Sequence, residues 1–284
     1  MTTAASVPVA PEFNEELWRI IFGVGHPLLI EKQQRFRVQG LPPRCKLCFA
    51  PFGTGTGEAV GADIPAPSNR NPRYCSMCDV FIRANPGGAR VHMSMVFADV
   101  RDSTVLAEQL ELSEYVRVMN QFYRETSQAI IDTDGFMLEI VGDQIFALYP
   151  TGFSGVHADD ASADESALVR ARQIRAAQKA IRAATTLSPS GRHRPAAAPY
   201  GLAVHSADVY IGTIRGAEEG IVDVRVWGKE VNKAARMSAA AQAGEVLISD
   251  EACMLAGIDT NSMEHRDMQL KGLSGTAGVR VLQL

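Results

Sequence analysis

Apolar positions between residues 91 and 149 follow two patterns, one typical of strands and one typical of helices. Residues 91–100 form a nearly continuous apolar run, which predicts a buried strand. Ser103 is predicted to cap a helix. Residues 113–133 carry apolar side chains at helical spacing, which predicts an amphipathic helix. Residues 136–140 and 144–149 are short apolar runs on either side of Gly142-Asp143. That pattern predicts a β-hairpin.

The second half of the chain alternates predicted helices and strands. Residues 161–186 form a long predicted helix rich in Ala and Arg, and residues 229–242 form another. Residues 187–199 are rich in Pro, Ser and Arg and are interpreted as an exposed linker. The predicted strands are residues 200–204, 209–214, 222–226 and 245–249, with strand-like segments in residues 268–284. Because hairpins are mixed with this alternation, we expect an α+β sandwich with a largely antiparallel sheet.

The N-terminal part has a different character. Residues 1–12 are rich in Ala, Val and Pro, and we expect them to be disordered. Residues 13–85 are predicted to begin with two short helices and to continue into a cysteine-containing segment. Asn85-Pro86-Gly87-Gly88 is a turn sequence that predicts a domain boundary, with a second domain over residues 90–284.

Composition and charge narrow the function classes. The 284 residues are 46% hydrophobic and carry a formal net charge of −4, with no long block of one sign. A dedicated nucleic-acid binder would usually be basic, so we expect no nucleic-acid partner. No apolar run reaches the roughly 18 residues that span a bilayer, and the N-terminus lacks the charge pattern of a secretion signal. We therefore expect a soluble cytoplasmic protein.

Four of the five cysteines form two C-x2-C pairs, Cys45 with Cys48 and Cys75 with Cys78. The pairs are separated by 26 residues and resemble a zinc ribbon. Thiolates in this arrangement suit a closed four-coordinate Zn²⁺ site, although an iron–sulfur cluster remains an alternative. The module is either a regulatory element or a staple for a segment too small to fold alone. The remaining cysteine, Cys253, is interpreted as a small core residue.

The candidate chemistry lies in three segments beyond the cysteines. Asp99 and Asp143 each follow an apolar run, and together they could hold a pair of divalent cations, although a single Asp in such a place is usually a turn residue or a helix cap. Asn232 and Arg236 are four residues apart, so they share one face of the predicted helix and could grip a phosphate. Paired carboxylates together with an Asn and an Arg on one helix face are typical of phosphoryl chemistry on a nucleoside triphosphate.

In their order, these segments resemble the catalytic domain of class III nucleotidyl cyclases, the adenylate and guanylate cyclases, from about residue 91 to residue 284. The matching motifs are F-x-D at Phe97, G-D at Gly142, G-x-x-x-H-S-x-x-V at Gly201, G-x-x-V-N-x-A-A-R at Gly228, G-E-V-L-I-S at Gly244 and L-K-G at Leu270. The resemblance implies a ferredoxin-like sandwich that turns a nucleoside triphosphate into a cyclic nucleotide and pyrophosphate.

The resemblance also assigns roles to residues. Asp99, Val100 and Asp143 would hold two Mg²⁺ or Mn²⁺ ions, Asn232 would orient the ribose, and Arg236 would stabilise charge on the α-phosphate. The triphosphate contacts would be Arg101, Asp102, Ser103, Thr104 and Lys271. In the family the metal aspartates come from one subunit and the Asn and Arg from its partner. Since this chain carries both halves once, the resemblance implies a homodimer with two equivalent sites.

Base recognition departs from the family pattern. Adenylate cyclases of the family place a Lys four residues before the second metal Asp and an Asp seven residues before the ribose Asn. Glu139 and Arg225 occupy these positions here, so both charges are inverted. Glu139 could accept from guanine N1 and N2 while Arg225 donates to O6, which favours GTP.

Several alternatives remain open at this point. Glu139 and Arg225 could pair with each other, in which case ATP would still be used, or the substrate could be a pyrimidine nucleotide. A catalytically inactive cyclase-like module that binds nucleotide or a partner is the main rival to an enzyme. A zinc-ribbon adaptor for nucleic acid or protein is a third class, which the acidic balance disfavours.

Overall fold

A computed structural model describes residues 14–37, 43–52, 64–156, 164–187, 198–215 and 222–284. The predicted disordered segment, residues 1–12, lies outside the described residues, as does most of the predicted linker before residue 200. The described part has the predicted α+β sandwich, with helices on both faces of one largely antiparallel sheet.

The described residues form a single sheet of eight strands. The strands are β1 Gly88–Val100, β2 Phe136–Val141, β3 Gln144–Pro150, β4 Tyr200–Arg215, β5 Val222–Trp227, β6 Glu245–Ser249, β7 Glu264–Gln269 and β8 Thr276–Gln283. Their order in the sheet is β2-β3-β1-β4-β6-β8-β7, and β5 pairs with the C-terminal half of β4. All neighbouring strands are antiparallel except β4 and β6.

The helices divide between the two faces of the sheet. The α-helices are α1 Glu15–Arg19, α2 Pro27–Arg37, α3 Ser76–Ala84, α4 Ser103–Gln109, α5 Leu112–Asp132, α6 Glu165–Thr186, α7 Lys229–Ala240 and α8 Asp250–Ala256. Helices α5, α6 and α8 contribute to the core on one face, whereas α1 to α3 and part of α7 contribute to the core on the other. A π-helical turn, Ile20–Val24, and a 3-10 turn, Thr151–Phe153, complete the described helical elements.

Strand β1 is the central element of the fold. Met95 and Phe97 belong to the core on one face, while Val96 and Ala98 belong to the core on the other. Because side chains alternate along a strand, only a continuous apolar run can be buried on both faces. This burial explains the apolar run that leads directly to Asp99.

The cysteine module is packed into the same core as the sheet. Phe49, next to Cys48, makes an edge contact with Phe153, and the centroids of the two rings are 6.0 Å apart. Phe22 stacks between Trp18 and Phe153 and also touches Phe136 of β2. Burial of such side chains contributes about 1.5–3 kcal/mol each. The module and the sheet therefore stabilise each other.

Local details differ from the sequence prediction at two points. Strand β4 is continuous over 16 residues, although two separate strands were expected within it. Ser103 is the first residue of α4 rather than its cap, because Asp102 takes the cap position in a left-handed conformation (φ 52°, ψ 35°). The Ser103 hydroxyl is thereby left to contact Asp143.

Candidate active site and cysteine centre

The two candidate metal carboxylates lie side by side at one end of the sheet. Asp99 is the next-to-last residue of β1 and lies opposite Gln144, its partner in the β1–β3 register. The Val100 amide donates a hydrogen bond to the Asp143 carbonyl at 3.0 Å, which ties the end of β1 to the tip of the β2–β3 hairpin. Partial burial raises the pKa of Asp99, and the negative charge of Asp143 adds to this effect while Arg101 opposes it.

Nearby polar groups orient both carboxylates. Arg101 forms an ion pair with Asp99, and Gln144 donates to the other oxygen of Asp99 at 3.2 Å. The Ser103 hydroxyl donates to Asp143. Two adjacent and partly buried carboxylates supply the oxygen ligands that hard divalent cations prefer, so the donor set fits Mg²⁺ or Mn²⁺.

An open cavity of about 510 Å³ lies beside Asp143. Ser103 and Thr104 from the start of α4 line it, as does Tyr123 from α5. The Tyr123 hydroxyl donates to the carbonyl of Gly142 and so supports the hairpin tip. The sequence did not single out Tyr123 or Gln144, because neither belongs to a recognisable motif.

Asn232 and Arg236 are both exposed on α7, as their spacing predicts. Asn232 lines a second cavity, of about 220 Å³, together with Glu139 and Arg225. The structure thus brings the candidate ribose and base residues into one cavity. This cavity differs from the one that Asp143 lines.

Glu139 and Arg225 form an ion pair of 3.2 Å across this second cavity. Arg225 also lies 3.3 Å from Asp223, which precedes it by two residues on the same face of β5. The Nη1 atom of Arg225 is buried and makes no hydrogen bond of good geometry to any described residue. This Nη1 atom is the one that faces Asp223, whereas Nη2 faces Glu139.

Lys271 is separated from the other candidate residues in the sheet. It lies exposed in the turn between β7 and β8, whereas the carboxylates lie near β1, β2 and β3, across β4 and β6. Within one chain the structure does not bring Lys271 to the other predicted triphosphate residues.

His205 is a buried structural residue. Its Nδ1 lies 2.9 Å from the Ser249 hydroxyl and its Nε2 lies 2.9 Å from a Glu230 carboxylate oxygen. Burial lowers the pKa of His205, although Glu230 opposes the shift. Both ring nitrogens have partners, so His205 is satisfied within the sheet.

The four cysteines of the two C-x2-C pairs converge on one buried point. Their Sγ atoms all lie within 4.8 Å of one another, and those of Cys48 and Cys75 are 3.7 Å apart. A tetrahedral Zn–S₄ centre with bonds of about 2.3 Å has sulfur–sulfur edges of about 3.8 Å. The geometry and the thiol donors therefore fit a closed tetrahedral metal site.

Each C-x2-C pair is shaped by local backbone structure. The Cys45 amide donates to the Ala50 carbonyl at 2.8 Å, and Phe49 has a left-handed conformation with φ 66°. Cys75 caps α3, where its Sγ accepts from the Cys78 amide at 3.4 Å. Hydrogen bonds among the sulfurs, led by that with Cys45, lower the pKa of Cys75 and raise that of Cys78.

The fifth cysteine, Cys253, is buried in α8 on the other face of the sheet, as a core residue should be. Among the described residues no helix is both long and apolar enough to cross a membrane.

Most of the chain matches a known protein family. Residues 89–282 match the family model described as the adenylate and guanylate cyclase catalytic domain. An adenylate cyclase from Anabaena cylindrica is 26% identical over 145 residues, which cover 51% of this chain and 26% of that protein. The match thus spans about a quarter of the length of the Anabaena protein.

Solved structures of similar fold agree with the family match. A guanylate cyclase domain from Catenaria anguillulae, solved in complex with GTP, aligns with a TM-score of 0.52 and 16% identity over 68% of this chain and 97% of that one. A bacterial light-regulated adenylyl cyclase aligns with a TM-score of 0.51 and 16% identity over 68% of this chain and 51% of that one. At such identities the likeness shows the fold alone.

Proposed function

Because this chain belongs to the adenylate and guanylate cyclase catalytic-domain family, we propose that it converts a purine nucleoside triphosphate into a 3′,5′-cyclic nucleotide and pyrophosphate. The ribose 3′-oxygen attacks the α-phosphorus, the bond to the bridging oxygen breaks, and pyrophosphate leaves. The observation that carries the proposal is the juxtaposition of Asp99 and Asp143, which the Val100 amide ties together at the end of β1.

The chain's own residues divide the work. Asp99 and Asp143 would hold two Mg²⁺ or Mn²⁺ ions, which lower the pKa of the 3′-hydroxyl and neutralise the triphosphate. Asn232, in the cavity with Glu139 and Arg225, orients the ribose. Arg236, one turn further along the exposed face of α7, stabilises charge on the α-phosphate. Ser103 and Thr104 face the cavity beside Asp143, where the terminal phosphates would lie.

We propose that the active unit is a homodimer. Asn232 and Asp143 line different cavities of one chain, which supports a site that a partner subunit completes. The elements next to the carboxylates along the chain, α4, α5 and β2, carry apolar side chains that expose between 44% and 57% of their area, namely Val105, Val116, Ile140 and Val141. Exposed apolar residues clustered around a polar centre are typical of an interface. The exposed position of Lys271 also fits a contribution across such an interface.

GTP is the proposed preferred substrate. Glu139 and Arg225 line one cavity, where Glu139 can accept from the N1 and N2 donors of guanine and Arg225 can donate to O6. The competing candidate is ATP, because the 3.2 Å ion pair between Glu139 and Arg225 could be purely structural and leave the base to other contacts.

At the cysteine centre we propose a structural Zn²⁺ ion. Four buried thiols with a 3.7 Å sulfur–sulfur approach fit Zn²⁺, and an iron–sulfur cluster is the alternative. Metal analysis of the purified protein, together with its visible absorption, separates the two, since only the cluster is coloured.

The proposed activity is tested by incubating the protein with Mn²⁺ and each of ATP, GTP, CTP and UTP. Products are identified by mass spectrometry, and an Asp99→Ala/Asp143→Ala variant is the control. We expect cyclic GMP to form fastest and to be absent with the control. A dimer that binds nucleotide but forms no product would instead be the inactive cyclase-like module.

Base selection is tested by the double exchange Glu139→Lys with Arg225→Asp. The exchange keeps a salt bridge between the two positions while it reverses donor and acceptor. We expect the ratio of kcat/KM for GTP to that for ATP to fall by about tenfold or more, because a well-placed pair of hydrogen bonds to a base contributes about 1–3 kcal/mol of discrimination.

The matched control reverses an exposed ion pair near the start of β1, Arg90→Asp with Asp208→Arg, which should leave the ratio unchanged. A GTP-to-ATP ratio that stays the same in the Glu139 and Arg225 exchange would mean that neither residue contacts the base.

A further inference from the structure

A side chain within or next to each C-x2-C pair contacts one of the two strands that carry Glu139 and Arg225. Lys46 lies between Cys45 and Cys48, and its Nζ donates to the Leu138 carbonyl at 2.8 Å. Tyr74 directly precedes Cys75, and its hydroxyl donates to a carboxylate oxygen of Asp223 at 2.9 Å. The sequence gives no indication of these contacts, because their partners are 92 and 149 residues away.

Asp223 connects the second cysteine pair to the cavity. It is buried and accepts hydrogen bonds from Tyr74 and from Arg73, the latter at 2.9 Å. Its carboxylate also lies 3.3 Å from Arg225, which in turn pairs with Glu139. A buried carboxylate is held by its hydrogen bonds, so the position of Asp223, and with it that of Arg225, depends on Tyr74 and Arg73.

Lys46 connects the first cysteine pair to Glu139. The pairing of β2 with β3 shifts register between Met137 and Glu139, so Leu138 occupies a β-bulge. A bulge redirects the side chains that follow it. The Lys46 Nζ, 5.9 Å from the centre of the Phe136 ring, satisfies the Leu138 carbonyl and so fixes the residue that immediately precedes Glu139.

We propose that Lys46 and Tyr74 are positioning residues for nucleotide selection, through which the closed cysteine centre fixes Glu139 and Arg225 against the base. The inference rests on the proposed cyclase activity and adds a role to the cysteine module beyond that of a folding staple. Each cysteine pair fixes one of the two base-facing residues, so the module acts on both sides of the cavity.

The test compares Tyr74→Phe and Lys46→Met with the wild-type protein and with Tyr149→Phe. Tyr149 is a matched control, since it is also fully buried and its hydroxyl makes a hydrogen bond, to Thr133 at 2.8 Å, in the core on the other face of the sheet. For each protein kcat and KM are measured with GTP and ATP, together with the bound metal and the Tm.

We expect the KM for the preferred nucleotide to rise by about fivefold to tenfold in Tyr74→Phe and Lys46→Met, as fits the loss of one hydrogen bond. The ratio of kcat/KM for GTP to that for ATP should move towards one, while kcat changes by less than about twofold because neither residue contacts the phosphates or the metals. Bound metal should remain, and Tyr149→Phe should match the wild type in both KM and ratio.

Two results would overturn the inference. One is an unchanged KM and nucleotide ratio in variants that fold and retain the metal. The other is an equal change in Tyr149→Phe, which would indicate general destabilisation. If Tyr74→Phe does not fold, Lys46→Met is judged by the same criteria.

Failure of the proposed activity is recognised separately, from the wild-type protein alone. If the wild type binds nucleotide without turnover, the same variants are compared by their Kd for GTP and ATP, and the same shifts are expected. A wild-type protein that binds neither nucleotide contradicts both proposals.

Discussion

Replacing Asp99 by Asn is expected to lower cyclic nucleotide formation by about a thousandfold or more, equivalent to about 4 kcal/mol of transition-state stabilisation. The amide has nearly the shape of the carboxylate but no negative charge, so the divalent cations lose a ligand at the point where Asp99 and Asp143 meet. The measurement is the initial rate of product formation with saturating Mn²⁺ and nucleotide.

The matched control is Asp267→Asn, which alters an exposed carboxylate on β7. It should retain the wild-type rate. Both variants should also keep the wild-type Tm, since Arg101 has a second anchor at the Ala239 carbonyl, 2.9 Å away. If Asp99→Asn keeps more than about a tenth of the wild-type rate, Asp99 is not a ligand of the catalytic metals.

Replacing Cys75 by Ser is expected to abolish metal binding at the cysteine centre and to lower the Tm by about 5–10 °C. Cys75 is both a sulfur ligand and the cap of α3, and the module it holds shares a core with β1 and β2. Loss of a structural metal removes folding free energy directly, and a loss of about 3 kcal/mol shifts the Tm of a domain of this size by roughly that amount. Metal content and thermal unfolding are measured on the same preparation.

Cys253→Ser is the control for a buried cysteine outside the centre. It should retain full metal content and show only a small loss of stability, because its thiol lies in α8 on the other face of the sheet. Metal content and Tm that stay at the wild-type level in Cys75→Ser would show that the four thiols are only a packed cluster.

Much of the region around the candidate site follows from local pattern. The apolar run before Asp99 predicts β1 because both faces of that strand are buried. Gly142-Asp143 predicts the hairpin, and the spacing of Asn232 and Arg236 places both on the exposed face of α7. In each case the prediction succeeds because sequence neighbours determine the structure.

Strand β4 shows where local pattern is insufficient. Its middle contains His205, Ser206 and Asp208, which interrupt the apolar repeat and suggest two strands. The partner β1 continues past all three, and Ser206 and His205 find partners in Ser94 and Ser249. Tertiary pairing overrides the local signal here, since the polar side chains are satisfied within the sheet.

The contacts that Lys46 and Tyr74 make behind the cavity of Glu139 and Arg225 could not be predicted from the sequence either. Lys46 and Tyr74 look like ordinary residues beside metal-ligand cysteines, and nothing local relates them to β2 or β5. Only the contact between Asp223 and Arg225 had a sequence signal, because residues two apart in a strand share a face. Ser103 was expected to cap a helix, and the left-handed Asp102 takes that position instead.

The most direct test of a catalytic site shared between two copies of this chain is complementation between two inactive variants, Asp99→Asn and Arg236→Ala. Heterodimers are isolated with a different affinity tag on each chain, and cyclic nucleotide formation is measured with Mn²⁺. If each site combines the carboxylates of one chain with the Asn and Arg of its partner, one site per heterodimer is intact, and about half of the wild-type rate should return. Purified heterodimers that remain as inactive as either parent would contradict a shared site at the interface between two copies of this chain.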